Sequence, residues 1–178
     1  MAPTIRLLGL DDLPALYAHH QRHEAENGRD GDVLFSPFDE PRPMSLEKLE
    51  KRLLPAWGAS AKAIGWERTW GVVDGEQIVG ELRLVHPLAV PSTLHRALLM
   101  MGIERSHRGQ GWGSALIATA LKWAREEQLD WVQLQVFEHN APARALYRKF
   151  GFVEAGRVPD LFRVRGQSVA DITMLLAL

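Results

Sequence analysis

The sequence predicts a mixed α/β domain built on one sheet, and three features predict it. Segments with the two-residue alternation of strands and segments with the 3.6-residue period of helices follow one another in the order β-α-α-β-β-β-α-β-α-β-β. No internal repeat and no linker-like stretch interrupts that order. A hydrophobic share of 46% with 24% charged residues is ordinary for a globular chain of 178 residues, which is long enough to bury a core. We therefore expect a single domain over residues 1–178.

The first third of the chain predicts one short strand, two helices and a long loop. The segment TIRLLGL alternates as a strand, and the helical pattern that follows has Asp11 or Asp12 as its N-cap candidate. Residues 27–44 are rich in glycine, proline and aspartate and predict a long loop, a type of segment that is often functional. Ser45 is placed to cap a second helix, in which leucines recur at helical spacing.

The remaining two thirds alternate strands and helices. RTWGVVDGEQIVGELRLVHP predicts a hairpin that turns at Asp74 and Gly75, and LHRALLMMGIERS predicts a further strand. A helix over GWGSALIATALKWAREEQ precedes the strand WVQLQVFE. A short helix follows, with Asn140 as its N-cap and Gly151 at its end, and QSVADITMLLAL closes the chain as a strand.

Charge and composition exclude several classes of function. With 21 basic and 22 acidic residues the formal net charge is −1, so nothing favours binding to nucleic acid or to a membrane surface. The absence of cysteine excludes disulfides, thiolate zinc sites and a cysteine nucleophile. Acidic residues stand near the N-terminus where a signal peptide would be apolar, and no apolar run reaches the roughly 18 residues of a membrane span. We expect a cytoplasmic protein.

The stretch RSHRGQGWGSAL places Gly109, Gly111 and Gly113 between a predicted strand and a predicted helix. Such a turn presents backbone N–H groups to phosphate, and the helix dipole adds partial positive charge. Arg105 and Arg108 can supply further charge. The spacing matches neither a P-loop nor G-x-G-x-x-G. A phosphate-containing ligand is the favoured interpretation, and a structural tight turn is the alternative.

Two motifs together resemble the GNAT acetyltransferases. The run from Arg108 to Gly113 matches R/Q-x-x-G-x-G/A, the acetyl-CoA pyrophosphate loop of that family. Downstream, the family segment N-x-x-A-x-x-x-Y-x-x-x-G-F is matched by Asn140, Ala143, Tyr147, Gly151 and Phe152. The resemblance covers the chain from about Gln77 to the C-terminus and is greatest to the bacterial L-amino acid and phosphinothricin-type branch.

The resemblance implies a fold, a donor and a set of binding residues. The fold is a mixed, mostly antiparallel sheet of six or seven strands with about four helices, splayed between strands 4 and 5. Residues 1–65 would form the acceptor side and residues 66–178 the acetyl-CoA-binding core. Acetyl would pass directly from acetyl-CoA to an amine in a ternary complex, with no metal. The implied cofactor-binding residues are Met101, Gly102, Ile103, Arg108, Gly109, Gln110, Gly111, Trp112, Gly113, Ser114, Asn140, Ala143 and Tyr147.

The catalytic residues of the family are matched less completely in this sequence than its cofactor-binding residues. Tyr147 matches the family tyrosine that protonates the leaving thiolate, although an amphipathic core residue is the alternative. Related enzymes often carry a glutamate on strand 4 as general base, and this strand has none. His95 on that strand and Glu81 on the neighbouring one are the candidates. Glu104 precedes the pyrophosphate loop and is predicted to be structural, because a carboxylate beside phosphate would repel it.

The resemblance implies that the first helix and the loop after it flank the acceptor cleft. Glu24 and Phe35 are the predicted acceptor contacts. Acidic residues at 24, 26, 30 and 32 can attract a cationic amine or simply face solvent. The histidines at 19, 20 and 23 predict a solvated helix face rather than a metal site.

These patterns predict an acetyl-CoA-dependent N-acetyltransferase that acts on the primary amine of a small, amino acid-like molecule. A protein N-terminal or lysine acetyltransferase of the ribosomal-protein type is one alternative. A non-catalytic acyl-CoA-binding sensor is another, and a homodimer is possible by analogy with the family.

Overall fold

The computed structural model describes residues 2–41 and 44–178, and a seven-stranded sheet runs through them in the order β1-β2-β3-β4-β5-β7-β6. The strands are β1 (Thr4–Leu7), β2 (Glu67–Asp74), β3 (Gln77–Val85), β4 (Arg96–Ile103), β5 (Trp131–Phe137), β6 (Val153–Val164) and β7 (Gln167–Ala177). The α-helices are α1 (Leu13–Glu26), α2 (Leu46–Gly58), α3 (Trp112–Glu126) and α4 (Ala141–Lys149). The predicted order of elements and the mixed, mostly antiparallel sheet are confirmed.

Capping residues set several of these boundaries as predicted. The Ser45 hydroxyl accepts a hydrogen bond from the Lys48 N–H at the start of α2. The side chain of Asn140 likewise accepts from an N–H in the first turn of α4. Asp12 precedes α1 but does not cap it through its side chain, because its carboxylate is bound instead by Arg6 and by the N–H of Gly9.

The sheet is covered on both faces. Helices α3 and α4 contribute to the main hydrophobic core, in which Leu116 and Ile117 pack with β-strand residues such as Leu82 and Leu134. Helices α1 and α2 pack on the other face through a second cluster of buried residues. The members of that cluster are Leu8, Leu13, Leu16, Leu49, Leu53 and Ile78.

The sheet opens between its two parallel strands. β4 and β5 are paired only from Arg96 to Leu98 and from Trp131 to Gln133, although β4 continues to Ile103 and β5 to Phe137. The expected splay between strands 4 and 5 is therefore present. In the described part of the chain, no helix is both long and apolar enough to cross a membrane.

Candidate active site

A cleft of about 1220 Å³ occupies the splay. Its walls come from α1, the loop between α1 and α2, the β3 and β4 strands, the glycine stretch and α4. Of the residues predicted to bind cofactor or acceptor, only Gln110 does not line it. Those that do are Glu24, Phe35, Met101, Gly102, Ile103, Arg108, Gly109, Gly111, Trp112, Gly113, Ser114, Asn140, Ala143 and Tyr147. Glu81 lines it as well.

Glycine is required at three positions of the loop, for two different structural reasons. Gly109 and Gly111 have φ angles of +73° and +90°, in the left-handed region that side chains rarely adopt. Gly113 has no such angle, but a Cβ there would lie 3.0 Å from Leu146 Cδ2. Glycine at 109 and 111 therefore shapes the turn, and glycine at 113 lets α3 approach α4.

The start of α3 presents unused hydrogen-bond donors. Within residues 2–41 and 44–178, the backbone N–H groups from Gln110 to Ser114 make no hydrogen bond to another backbone group. Gly111, the N-cap, has no side chain to satisfy them. Free N–H groups combined with the positive end of the helix dipole form an anion site. These residues fit the pyrophosphate of acetyl-CoA, and the splay beside them fits an extended arm.

The side chain of Arg108 is engaged by the chain itself. Its guanidinium donates to both oxygens of Asp32 at 2.6 Å, to Glu26 at 2.8 Å and to the carbonyl of Ile103 at 2.7 Å. Arg105 lies 3.4 Å from Asp32. The two arginines thus fasten the acidic loop to the glycine loop. Three of the four acidic groups expected to attract an amine, Glu26, Asp30 and Asp32, are therefore already paired.

The loop after α1 is held over the cleft by buried contacts. Asn27 is 3% exposed and bonds the backbone of Phe35 and Ser36. The Phe35 ring stacks on the His23 ring with centroids 4.3 Å apart. Residues 27–36 therefore form a fixed wall beside α1, on the side of the cleft predicted to receive the acceptor.

Glu81 is a carboxylate on β3 that lines the cleft beside the opening of the sheet. It faces Gly102 across the β3–β4 pair and is 8% exposed. Its Oε1 lies 2.9 Å from His20 Nε2, while Oε2 is buried with no hydrogen-bond partner within residues 2–41 and 44–178. Burial alone would raise the pKa of Glu81, but His20 and Arg83 outweigh it and hold that pKa well below its usual range. Glu81 is thus an anion with one buried oxygen whose hydrogen-bonding capacity is unused among the described residues.

The prediction that the histidines of α1 form a solvated helix face is wrong. Histidines 19, 20 and 23 continue the apolar stripe of α1 and turn toward the sheet, so His19 is only 1% exposed. Its Nδ1 bonds Glu104 at 2.8 Å, and Arg22 bonds the same carboxylate. Glu104 is structural, as predicted. Among the described residues, no group of three or more metal-ligating side chains converges on one point.

His23 packs directly against the backbone of the cleft. Burial, with the nearby charges of His19 and Arg108, lowers the pKa of His23 to about 3, so the ring is neutral near pH 7. A Cβ at residue 102 would lie 2.6 Å from its Cε1. Gly102 is therefore required for close packing as well as being placed at the splay.

Tyr147 is buried on α4 with its side chain on the cleft wall. It is 6% exposed, and burial raises the pKa of its hydroxyl to about 12. The phenol therefore keeps its proton at neutral pH and is a donor. Burial also raises the pKa of Glu24.

The fold does not bring His95 close to the other predicted catalytic residues, Glu81 and Tyr147. It is exposed, precedes β4 and lies outside the cleft lining, about 20 Å along the strand from Met101. Its carbonyl accepts a hydrogen bond from the Asp130 N–H. Glu81 is the predicted base candidate that the fold places in the cleft.

The cleft also contains charged residues that the sequence patterns did not assign to the site, among them His20, which was predicted to face solvent. His20 contacts Glu81 because it extends the Leu16 stripe by one turn. Arg83 follows Glu81 by two positions and shares its face of β3. Asp171 is 3% exposed on β7, opposite Phe137, and its only signal is a lone acid within an apolar strand.

Comparison with known proteins matches this architecture. The model of the acetyltransferase (GNAT) family matches residues 33–152. Streptothricin acetyltransferase from Escherichia coli is 41% identical over 105 residues, which are 59% of this chain and 58% of that protein. Mycothiol acetyltransferase from Thermobifida fusca is 30% identical over 149 residues, 71% of this chain and 41% of that protein. The chain thus matches about half the length of these relatives.

Two solved structures share the fold across nearly the whole chain. One is described as a phosphinothricin N-acetyltransferase, with a TM-score of 0.81 at 21% identity, covering 99% of both chains. The other, from Salmonella typhimurium, was solved with its cofactor acetyl-CoA and has a TM-score of 0.80 at 14% identity, covering 100% of this chain and 95% of that one. At these identities the likeness concerns the fold.

Proposed function

This chain belongs to the GNAT acetyltransferase family, and from that premise we propose that it is an acetyl-CoA-dependent N-acetyltransferase acting on the primary amine of a small molecule. The observation that carries the proposal is the convergence in one cleft of a free N–H cradle, a buried phenol and a buried carboxylate with an unpaired oxygen. The first fits a pyrophosphate, the second can donate a proton and the third can receive an amine.

The donor half of the cleft would be formed by α3 and β4. The N–H groups of residues 110–113 would hold the pyrophosphate of acetyl-CoA, and the main chain of Met101 to Ile103 would bond its pantetheine arm. Acetyl-CoA supplies the activated acetyl group when bound. A β4 N–H beside the splay would polarise the acyl oxygen.

Glu81 and His20 together would handle the proton of the amine. An ammonium ion with a pKa of about 10 must lose a proton before it attacks. The unpaired Oε2 of Glu81 accepts the hydrogen bond of that ammonium, and Oε1 connects to the imidazole. Because its pKa is low, Glu81 anchors the ammonium better than it keeps a proton. The His20 ring, 26% exposed, provides the route by which the proton leaves.

Tyr147 would donate to the departing thiolate. Its hydroxyl stays protonated at neutral pH, since burial raises its pKa to about 12. A single donor aimed at the leaving group typically accelerates such a step by roughly 10²–10⁴-fold.

The wall formed by residues 27–36 supports a small acceptor. Asn27 and the Arg108–Asp32 ion pair hold it beside the cleft. A peptide acceptor needs a groove that remains open at this side, so the fixed wall favours a metabolite over a protein terminus. The homodimer expected by analogy stays a prediction.

Release of free CoA thiol with acetyl-CoA and a panel of amines tests the proposal. The panel contains amino acids, polyamines, aminoglycosides and short peptides. The protein contributes no thiol background, because it has no cysteine. We expect turnover with a small amine. Turnover with peptides alone would instead support a protein acetyltransferase, and tight acetyl-CoA binding without any turnover would support a sensor.

A further inference from the structure

The β7 side of the splay contains a buried carboxylate that lacks a partner. Asp171 lies on β7, is 3% exposed and lines the cleft. Within residues 2–41 and 44–178 its carboxylate takes part in no hydrogen bond or ion pair, and burial raises its pKa. A buried carboxylate that no donor or cation compensates costs free energy of folding. Such groups concentrate at functional sites, where a ligand supplies the partner.

Strand alternation directs Asp171 to the face of the sheet that α1 covers. The next residue, Ile172, belongs to the main core with α3, so Asp171 points to the opposite face. Phe137, directly across on β5, shares that face and packs in a third cluster beside the loop after α1. Glu81 and Gly102 occupy the same face on β3 and β4, since α1 packs on Gly102. Asp171 and Glu81 therefore line one face of the cleft.

The two carboxylates lie level with each other on opposite sides of the splay. Glu81 pairs with Gly102, and Asp171 pairs with Phe137. Continuing the register of the paired part of β4 and β5 places Gly102 level with Phe137. Three strand spacings of about 4.8 Å each separate Glu81 from Asp171, so their Cα atoms are about 14 Å apart before the splay adds to that distance. Side chains stand roughly perpendicular to a sheet, so no single ammonium group reaches both carboxylates.

Aromatic side chains line the cleft between the two carboxylates. Phe137 lies in the row between them, and the Phe35 ring stacks on His23, which packs on Gly102. Both phenylalanines line the cleft. Aromatic surface covers a hydrocarbon chain favourably and also attracts cations. The row of side chains thus has anionic ends and an apolar middle.

The cations near this row are engaged elsewhere. The arginines that line the cleft are Arg52, Arg83 and Arg108. The first two contact Glu67, and the third pairs with Asp32. On β6, next to β7, Arg157 pairs with Glu138. In the described part of the chain none of these arginines forms an ion pair with Asp171, so a cation for this carboxylate must come from a ligand.

We propose that Asp171 binds a second cationic group of the acceptor, and that the acceptor is an extended diamine whose reacting amine lies at Glu81. This inference rests on the proposed acetyltransferase function and names its substrate class. The hydrocarbon chain lies on Phe35 and Phe137, and the distal ammonium restores the hydrogen bonds that Asp171 lacks. A monoamine of the same length leaves Asp171 without a partner and gains nothing at this end.

Diamines and monoamines of equal chain length test the inference. Thiol release from acetyl-CoA is measured with α,ω-diamines from ethylenediamine to octamethylenediamine and with the n-alkylamine of matching length. For the wild type we expect kcat/KM to rise with the length of the diamine. At its maximum, and corrected for two equivalent amines, it should exceed that of the monoamine by about 10- to 100-fold, the range of a charged hydrogen bond. Asp171→Asn should remove that preference by raising KM for the diamine, while kcat/KM for the monoamine stays nearly unchanged.

Further variants control for charge and folding. Asp171→Glu keeps the carboxylate and should retain part of the preference. Asp130→Asn removes an exposed carboxylate that does not line the cleft and should leave the preference intact. Asp171→Asn should unfold at a temperature no lower than the wild type, because it removes an uncompensated buried charge. A preference lost together with unimpaired stability therefore reports on binding.

Two outcomes would overturn the diamine site and leave the acetyltransferase proposal standing. The first is equal kcat/KM for diamines and monoamines in the wild type. The second is an equal loss of activity with every amine in Asp171→Asn, because the carboxylate would then serve the donor or the chemical step.

Calorimetric titration of the diamines into CoA-saturated protein separates the two proposals. Binding that is lost in Asp171→Asn, with no thiol release from acetyl-CoA, would support the diamine site and refute the acetyltransferase function. An absence of diamine binding and of turnover with any amine would overturn both. Binding of magnesium ions alone that Asp171→Asn abolishes would assign the carboxylate to an inorganic cation and overturn the diamine site.

Discussion

Replacing Gly102 with alanine tests the packing between α1 and the cleft. The new methyl carbon would lie 2.6 Å from His23 Cε1 and 2.9 Å from Nδ1, whereas carbon atoms in contact prefer about 3.5–4.0 Å. The His23 ring must therefore move by about 1 Å. It is stacked on Phe35 at 4.3 Å and on His19 at 5.6 Å, so its displacement also disturbs these rings.

The expected cost is that of overpacking a well-filled site, about 1–3 kcal/mol. In a protein of this size each kcal/mol lowers Tm by about 2–4 °C, so Gly102→Ala should lower Tm by about 2–12 °C. Displacing Phe35 shifts the acceptor wall, and KM for the amine should rise as well.

Thermal unfolding of matched variants provides the assay. Gly156→Ala introduces a methyl on β6 where no atom lies within 4 Å, and its Tm should stay near that of the wild type. In a His23→Ala background the ring is absent, and Gly102→Ala should then cost less than about 0.5 kcal/mol. An unchanged Tm for Gly102→Ala, or an equal cost in both backgrounds, would refute the steric argument.

Two other substitutions probe buried groups of the cleft. Tyr147→Phe should lower kcat by about 10²-fold and change the acetyl-CoA Kd by less than about twofold; steady-state kinetics and calorimetry check this, and an unchanged kcat would remove Tyr147 from the mechanism. Asp171→Asn should raise Tm at pH 7, because burial raises the pKa of Asp171 and its charged form costs stability in the folded state. This gain should shrink as the pH falls through that raised pKa, since the neutral form is then favoured in the wild type too; a Tm difference that does not vary with pH would contradict this reason.

The fold could be predicted because local signals agree with the global arrangement. Alternation, helical periodicity and caps such as Ser45 and Asn140 marked the elements in their observed order. The glycine loop was also predictable, since the left-handed angles at Gly109 and Gly111 admit few other residues.

The side of the cleft formed by α1 and the loop after it was less predictable, because contacts between residues distant in sequence decide its structure. Arg108, beside the glycine loop, is a residue type that often binds phosphate. Its guanidinium is instead paired with Asp32, which lies in a loop distant in sequence. The histidines of α1 are polar residues that would be expected to face solvent. Glu104 and Glu81, at the end of β4 and on β3, instead bind His19 and His20 on the inner face of the helix. None of these carboxylates is close in sequence to the residue it binds. Arg83 and Glu67 likewise meet only when β2 and β3 pair.

The central claim is that Glu81 anchors the acceptor amine in an acetyl-transfer cleft. The most direct test measures amine-dependent thiol release from acetyl-CoA by wild type and Glu81→Gln, with acetyl-CoA binding followed in parallel. We predict that kcat/KM falls by about 10²-fold or more while the acetyl-CoA Kd stays within about twofold. Equal rates for the two proteins would contradict the claim.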